Sequence, residues 1–164
     1  ATCLDVGQGS GGFTEVLLRQ GAARVVGVDV GHGQLHPSLR SDPRVVALEG
    51  VNARHLQAAD LPQAEFDLVT GDLSFISLTL VLPALALRVR STLLVLVKPQ
   101  FELQPADIGK GRLVRDAGAF ARVEQRLRAA CDEAQLSVTD WFESAIVGGD
   151  GNREFFMRAQ ARGV

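Results

Sequence analysis

Asp5-Val6-Gly7-Gln8-Gly9-Ser10-Gly11-Gly12-Phe13-Thr14 is a glycine-rich turn between an apolar run and a helical one. It joins a short apolar run, Cys3 to Val6, to a segment of helical spacing, Gly12 to Gln20. Four glycines fall within six positions of the turn between them. Glycine is required where a strand must turn tightly into a helix and where a ligand must approach the backbone without a Cβ in the way. Such a loop alone does not choose among cofactor classes.

Working outward, Val25-Val26-Gly27-Val28-Asp29 reads as a second strand that ends on a carboxylate 22 positions after Gly7. A carboxylate there can accept hydrogen bonds from ribose hydroxyls. Short runs rich in Val, Leu and Ile then alternate with helical spacing. Strands are predicted at Cys3 to Val6, Arg24 to Val30, Val45 to Leu48, Phe66 to Thr70 and Leu93 to Val97. Helices are predicted at Gly12 to Gln20, Leu78 to Val89 and Ala117 to Ala134, the last capped by Asp116. Leu136 to Ile146 and Arg153 to Ala161 flank a Gly148-Gly149-Asp150-Gly151-Asn152 turn and read as a hairpin. The expected fold is α/β, a Rossmann-like, mostly parallel seven-stranded sheet with an antiparallel C-terminal strand and helices on both faces. Ligands of such sheets lie outside the carboxyl ends of the parallel strands.

Loop, strand and carboxylate together predict an adenosine-containing cofactor, either a nicotinamide dinucleotide or S-adenosylmethionine. Gly-x-Gly-x-Gly-Gly departs from the dinucleotide pattern, Asp5 suits a cationic ligand, and the antiparallel last strand leans toward a methyltransferase. Three ionisable residues distant in sequence fall at the same edge. Asp72 follows the fourth strand, Lys98, one of two lysines in the chain, follows the fifth, and Glu154 opens the antiparallel last strand.

Composition narrows the field. The chain has 164 residues, 17 basic against 19 acidic groups for a formal charge of -2, and 46% hydrophobic residues. That is one packed domain rather than a disordered chain or a generic polyanion binder. Leu78 to Val89 is the most apolar stretch and is shorter than the roughly 20 residues a spanning helix needs. Cys3 and Cys131, far apart and without metal-ligand spacing, fit a reduced, cytoplasmic setting. His32, His36 and His55 also lack ligand spacing, so no metal is expected. Opening on a core strand at Ala1-Thr2-Cys3-Leu4, the sequence leads us to expect a functional segment before residue 1.

Longer blocks carry a resemblance: Asp5 through Thr14, Val28-Asp29-Val30-Gly31-His32-Gly33-Gln34-Leu35, Asp42-Pro43-Arg44-Val45, Asn52-Ala53-Arg54, Asp72-Leu73-Ser74-Phe75-Ile76-Ser77-Leu78, Val97-Lys98-Pro99-Gln100-Phe101-Glu102, Gly109-Lys110-Gly111 with Val114-Arg115-Asp116, and Gly151-Asn152-Arg153-Glu154-Phe155. Together they resemble the TlyA (hemolysin A) group of FtsJ-like ribosomal RNA methyltransferases over nearly the whole chain. The resemblance implies S-adenosylmethionine-dependent 2'-O-methylation of ribose, on cytidines of ribosomal RNA, with ribosomal RNA or subunits as partners and no stable membrane association. Of the Lys-Asp-Lys-Glu tetrad of FtsJ-like enzymes, three members map onto Asp72, Lys98 and Glu154. The first lysine and the S4-type RNA-binding domain usual in the group would lie before residue 1. Gln8, Gly9 and Ser10 depart from the group's usual Gly-Ala-Ser-Thr/Pro-Gly-Gly loop, which bears on cofactor affinity.

The site expected is then explicit. Asp5, Gly7, Gly9, Gly11, Gly12, Phe13, Asp29, Asn52 and Asp72 bind cofactor, Asn52 by resemblance alone. Asp72, Lys98 and Glu154 are catalytic, with Lys98 as the base. Phe75 and Phe101 either line a nucleotide pocket or pack in the core, whereas Trp141, Phe155 and Phe156 pack core and hairpin. Lys110 and Arg115 either touch RNA phosphate or lie in a solvated loop. Net charge hides an asymmetry: residues 55–87 carry four acidic groups and no Lys or Arg, and residues 88–128 carry nine basic groups against four acidic ones. Three other readings stay open at this level, a nicotinamide-dependent oxidoreductase, a membrane-active hemolysin-like protein and a degenerate, cofactor-free scaffold.

Overall fold

The computed structural model describes residues 1–103, 114, 117–149 and 151–163. Seven strands form one sheet: β1 (Thr2–Val6), β2 (Arg24–Asp29), β3 (Val45–Glu49), β4 (Phe66–Gly71), β5 (Val89–Val97), β6 (Leu136–Glu143) and β7 (Phe155–Ala161). Their order is β3-β2-β1-β4-β5-β7-β6. The pairs from β3 through β5 are parallel, and β7 is antiparallel to both β5 and β6. This is the doubly wound sheet expected, with its antiparallel strand one place in from the edge.

Alternation along β1 sorts the two faces. Leu4 and Val6 join a core with Val26, Val28, Val69, Leu93 and Val95. Helix α3 (Leu78–Ala86) contributes Leu78, Val81, Leu82 and Leu85 to it, and helix α4 (Ala117–Glu133) contributes Val123, Leu127 and Cys131. Both sets follow helical spacing, so each helix turns one apolar stripe to the sheet. Cys3 and Val25 face the other way, onto Leu18 of α1 (Gly12–Arg19) and Leu39 of the single-turn helix α2 (Pro37–Arg40). Helices thus cover both faces. Both cysteine thiols are buried, and burial raises their pKa, to about 11 for Cys131. Trp141 stacks on Phe155 at 5.6 Å, the packing role expected of both.

Boundaries differ where polar residues interrupt an apolar run. The third helix was expected to reach Val89 and the fifth strand to begin at Leu93, yet α3 ends at Ala86 and β5 starts at Val89. Arg90 obscures that start: it is exposed and pairs with Asp67 at 3.1 Å, while its neighbour Val89 is buried and pairs with Phe66. Helix α2 had no periodic signal at all. It is set by Pro37 in its first turn and by His36, whose Nδ1 accepts the Ser38 N–H at 3.1 Å. The hairpin strands are shorter than expected, ending at Glu143 and resuming at Phe155. The Asp116 cap lies outside the described residues.

Gln8, one of the three loop residues that depart from the group's usual pattern, is only 6% exposed, and its Nε2 donates to Thr14 Oγ1 at 2.9 Å. It lies on Gly27, where a Cβ would stand 2.0–2.2 Å from the Gln8 amide. The large side chain in the loop is matched by a missing one in β2. Gly27→Ala is expected to cost about 1–3 kcal/mol of stability from overpacking. The same substitution in a Gln8→Ala background should cost less than half as much. Equal costs in the two backgrounds, by denaturant unfolding, would show that the residues are not coupled.

Candidate active site

All five parallel strands end at one edge, where β1 turns into the glycine loop. Gly7 and Gln8 both donate their backbone N–H to Val28 O, at 2.9 and 3.2 Å. Gly7 (φ +76°), Gly9 (+55°) and Gly11 (+106°) adopt the left-handed conformation that lets the chain reverse. At Gly7 glycine is obligatory for a second reason, since a Cβ would stand 2.2 Å from Asp72 O. The loop is open at Gly9, where the nearest atom to a Cβ is Gly7 O at 3.9 Å, and at Gly12, where nothing lies within 4 Å, whereas a Cβ on the buried Gly11 would stand 2.3 Å from Leu39 Cδ1. Phe13, half-buried, turns its ring edge to Phe156 at 6.4 Å.

Asp29 braces this loop. Its Oδ2 accepts the Gly9 N–H at 2.7 Å and its Oδ1 the Gly31 N–H at 2.9 Å. Each oxygen of an ionised carboxylate has two acceptor positions, so Asp29 retains capacity for ribose hydroxyls. Asn52 stands beyond the end of the neighbouring strand β3, exposed, with its side-chain oxygen accepting the Arg54 N–H at 3.0 Å. Backbone uncovered by any side chain at Gly9 and Gly12, with a half-buried carboxylate beside it that can still accept, is a surface that fits S-adenosylmethionine.

Asp5 was expected to meet the cofactor. It is 1% exposed and turned to the α1 side of the sheet, where Thr14 Oγ1 donates to Oδ2 at 2.7 Å and Thr70 Oγ1 to Oδ1 at 3.1 Å. Its carboxylate therefore braces the loop from within, through Thr14 and Gln8. Burial pushes its pKa up to about 6, against the opposing hydrogen bonds from the two threonines. An acid whose folded pKa exceeds its unfolded value stabilises the fold at low pH, and that contribution is lost as pH rises through the folded pKa. Asp5 is accordingly expected to remove about 2 kcal/mol of stability as pH rises from 4 to 7. Comparing urea midpoints of the parent and Asp5→Asn across that range checks it. An identical pH profile in both proteins would contradict the assignment.

Asp72 and Lys98 meet. The Lys98 Nζ lies 2.6 Å from Asp72 Oδ1, and it donates to Ser74 Oγ at 2.8 Å. The Lys98 side chain is 15% exposed, so the amine is held at the rim of the site rather than free in solvent. Asp72 is placed by its own backbone N–H, which donates to Val6 O at 3.0 Å, directly against Gly7. Glu154 is brought to the same edge by register: its neighbour Phe155 pairs with Val97, the residue before Lys98. Phe75 is not a core residue. It is 83% exposed at φ +64°, with its ring 4.9 Å from Phe101. A left-handed non-glycine residue stores strain, which is characteristic of functional sites.

Two residues that sequence reasoning passed over belong here. Ser74 shares Lys98 with Asp72, and its only sequence signal was its place two positions after Asp72. Asn152 is 2% exposed, and its side-chain oxygen accepts the Val114 N–H at 2.8 Å. Its signal was the Gly-Asn-Arg-Glu run that also contains Glu154. Lys110 and Arg115 lie outside the described residues. Among the described residues there is no cluster of three or more His, Cys, Asp or Glu able to hold a metal.

Residues 1–161 match the family described as FtsJ-like methyltransferase. The 16S/23S rRNA (cytidine-2'-O)-methyltransferase TlyA of Mycobacterium tuberculosis is 47% identical over 161 residues, covering 94% of this chain and 58% of its own length. A solved structure from Lactococcus lactis, provisionally named a hemolysin, superposes with a TM-score of 0.94 at 37% identity, covering 99% of this chain and 78% of that one. An S-adenosylmethionine-dependent methyltransferase from Methanosarcina mazei shares the fold, with a TM-score of 0.69 at 16% identity over 98% of this chain and 92% of that one.

Proposed function

Since the chain belongs to the FtsJ-like methyltransferase family, we propose that it serves S-adenosylmethionine-dependent methylation of ribosomal RNA at the ribose 2'-oxygen of cytidine. The observation that carries the reading is the Lys98–Asp72 ion pair, set 2.6 Å apart beside the glycine loop. Bound S-adenosylmethionine supplies a sulfonium methyl that is already activated. What remains for the protein is to align the nucleophile and take one proton. Asp29 holds the cofactor ribose, Asn52 the adenine edge, and the backbone of Gly7, Gly9, Gly11 and Gly12 with Phe13 the rest of the cradle. Asp72 meets the amino group of the methionine moiety and orients Lys98. Lys98 is the acceptor of the 2'-hydroxyl proton, and Glu154 orients that hydroxyl. Phe75, exposed beside Lys98, lines the nucleotide pocket.

The chain spans 58% of the length of the Mycobacterium tuberculosis relative. The proposal assigns the first lysine of the tetrad, and an S4-type RNA-binding domain supplying most of the RNA affinity, to chain outside these residues. Lys110 and Arg115 touch RNA phosphate. Because its substrate is the ribosome, the protein works in the cytoplasm. Membership in a methyltransferase family leaves the oxidoreductase reading without support, and among the described residues no helix is long and apolar enough to cross a membrane. The test is transfer from labelled S-adenosylmethionine to ribosomal subunits by the full-length protein, with nucleosides separated by mass spectrometry. The expected product is 2'-O-methylcytidine. Label confined to base-methylated nucleosides, or no transfer, refutes the reading.

A further inference from the structure

Four residues beyond Lys98, Glu102 is 4% exposed although it carries a carboxylate. Its Oε2 accepts the Ser77 hydroxyl at 2.5 Å and its Oε1 the Leu78 backbone N–H at 2.8 Å. Those two donors form the first turn of α3, where a negative charge is favoured and the leading N–H groups lack helical partners. On its own side, Glu102 closes a single turn. The Phe101 N–H donates to Lys98 O at 3.0 Å and the Glu102 N–H to Pro99 O at 2.9 Å. Arg126 of α4 donates to Glu102 O at 2.5 Å. Burial raises the Glu102 pKa, with the bonds from Ser77 and Leu78 and the charge of Arg126 opposing it.

Two segments are thereby zipped together in three steps. Lys98 meets Asp72 and Ser74, Phe101 meets Phe75, and Glu102 meets Ser77 and Leu78. We propose that Glu102 is a positioning residue that braces the Lys98 turn against the first turn of α3 and so holds the Lys98 amine at Asp72 and Ser74. Its consequence for catalysis rests on the assignment of Lys98 as proton acceptor, but the positional claim stands without it. A near-attack geometry tolerates little error: a displacement of about 1 Å costs on the order of 10²-fold in rate.

Within these 164 residues there are two lysines, Lys98 and Lys110. In the full-length protein labelled with ¹³C,¹⁵N-lysine, the Lys98 signals are those that Lys98→Arg removes. A pinned amine gives two resolved Hε signals in the parent, and Glu102→Ala should merge them at the position of a free lysine. Glu102→Gln should keep them apart, because its amide oxygen can still accept from Leu78 and its NH₂ can donate to Ser77 Oγ. Methyl transfer by Glu102→Ala should fall by about 10²-fold, with S-adenosylmethionine affinity changed by less than about threefold. Ser77→Ala breaks the same bond from the other side and carries the test where Glu102→Ala does not fold. Unmoved Lys98 signals in the folded variant overturn the proposal. A Lys98 response in a protein that methylates no RNA would instead uphold Glu102 and remove the proposed function.

Discussion

Lys98→Ala in the full-length protein should lower methyl transfer to ribosomal RNA by about 10³-fold or more and leave S-adenosylmethionine affinity within about threefold. The split follows from where the side chain is. Lys98 follows β5 and reaches Asp72 and Ser74 at the rim, whereas the proposed cofactor cradle is the β1 loop with Asp29. Removing the amine deletes the proposed proton acceptor without touching the loop. Lys98→Arg is the informative companion. It keeps a cation beside Asp72 but cannot serve as a base near neutral pH, because a guanidinium stays protonated. It should be as inactive as the alanine variant. Calorimetry with S-adenosylhomocysteine and single-turnover transfer measure the two quantities separately. An active Lys98→Arg protein would move the proton to another acceptor.

Gly7→Ala should cost roughly 3 kcal/mol and abolish measurable cofactor binding. Two costs add at this residue. An alanine at φ +76° is strained, and its methyl would stand 2.2 Å from Asp72 O and 3.0 Å from Asp72 C. Both of those are backbone atoms that cannot swing aside. Relief requires the β1 loop and the Asp72 segment to separate, which pulls Gly9 from Asp29 and Asp72 from Lys98 together. Gly12→Ala is the contrast, since no atom lies within 4 Å of the added carbon. That variant should be neutral or more stable by up to about 1 kcal/mol, because alanine favours the helix. Thermal unfolding ranks the two, and equal losses would contradict the geometry.

Much of this was legible because the informative residues are local. The alternation Cys3, Leu4, Asp5, Val6 fixes which side of the sheet each residue faces, and the loop glycines fix how β1 turns into α1. Convergence of Asp72, Lys98 and Glu154 required only strand direction, since an antiparallel β7 begins at the edge where the parallel strands end. Other features were hidden because they depend on contacts between distant segments. Asp5 reads as a ligand carboxylate until Thr14 and Thr70 are seen to occupy it. Gln8 reads as a defect in the loop until Gly27, 19 positions later, is found beneath it. Glu102 carried no periodic signal, because what gives it meaning is the start of a helix 24 positions earlier. The beginning of β5 was obscured by Arg90, whose charge interrupts the apolar run though its backbone is in the strand.

Charge follows the same logic. A formal charge of -2 argues against indiscriminate binding to polyanions, yet the basic stretch of residues 88–128 contains Lys98 itself. Local rather than net charge is what the proposed action on one nucleotide of a large RNA would need.

In the proposed function Lys98, held against Asp72 beside the glycine loop, serves methyl transfer to a ribose oxygen of ribosomal RNA. The decisive measurement maps 2'-O-methylation across ribosomal RNA from cells with the full-length gene, without it, and with its Lys98→Ala form. At least one cytidine should be methylated on its 2'-oxygen only in the first of the three. A methylation map unchanged by loss of the gene, or restored in full by the Lys98→Ala form, would contradict it.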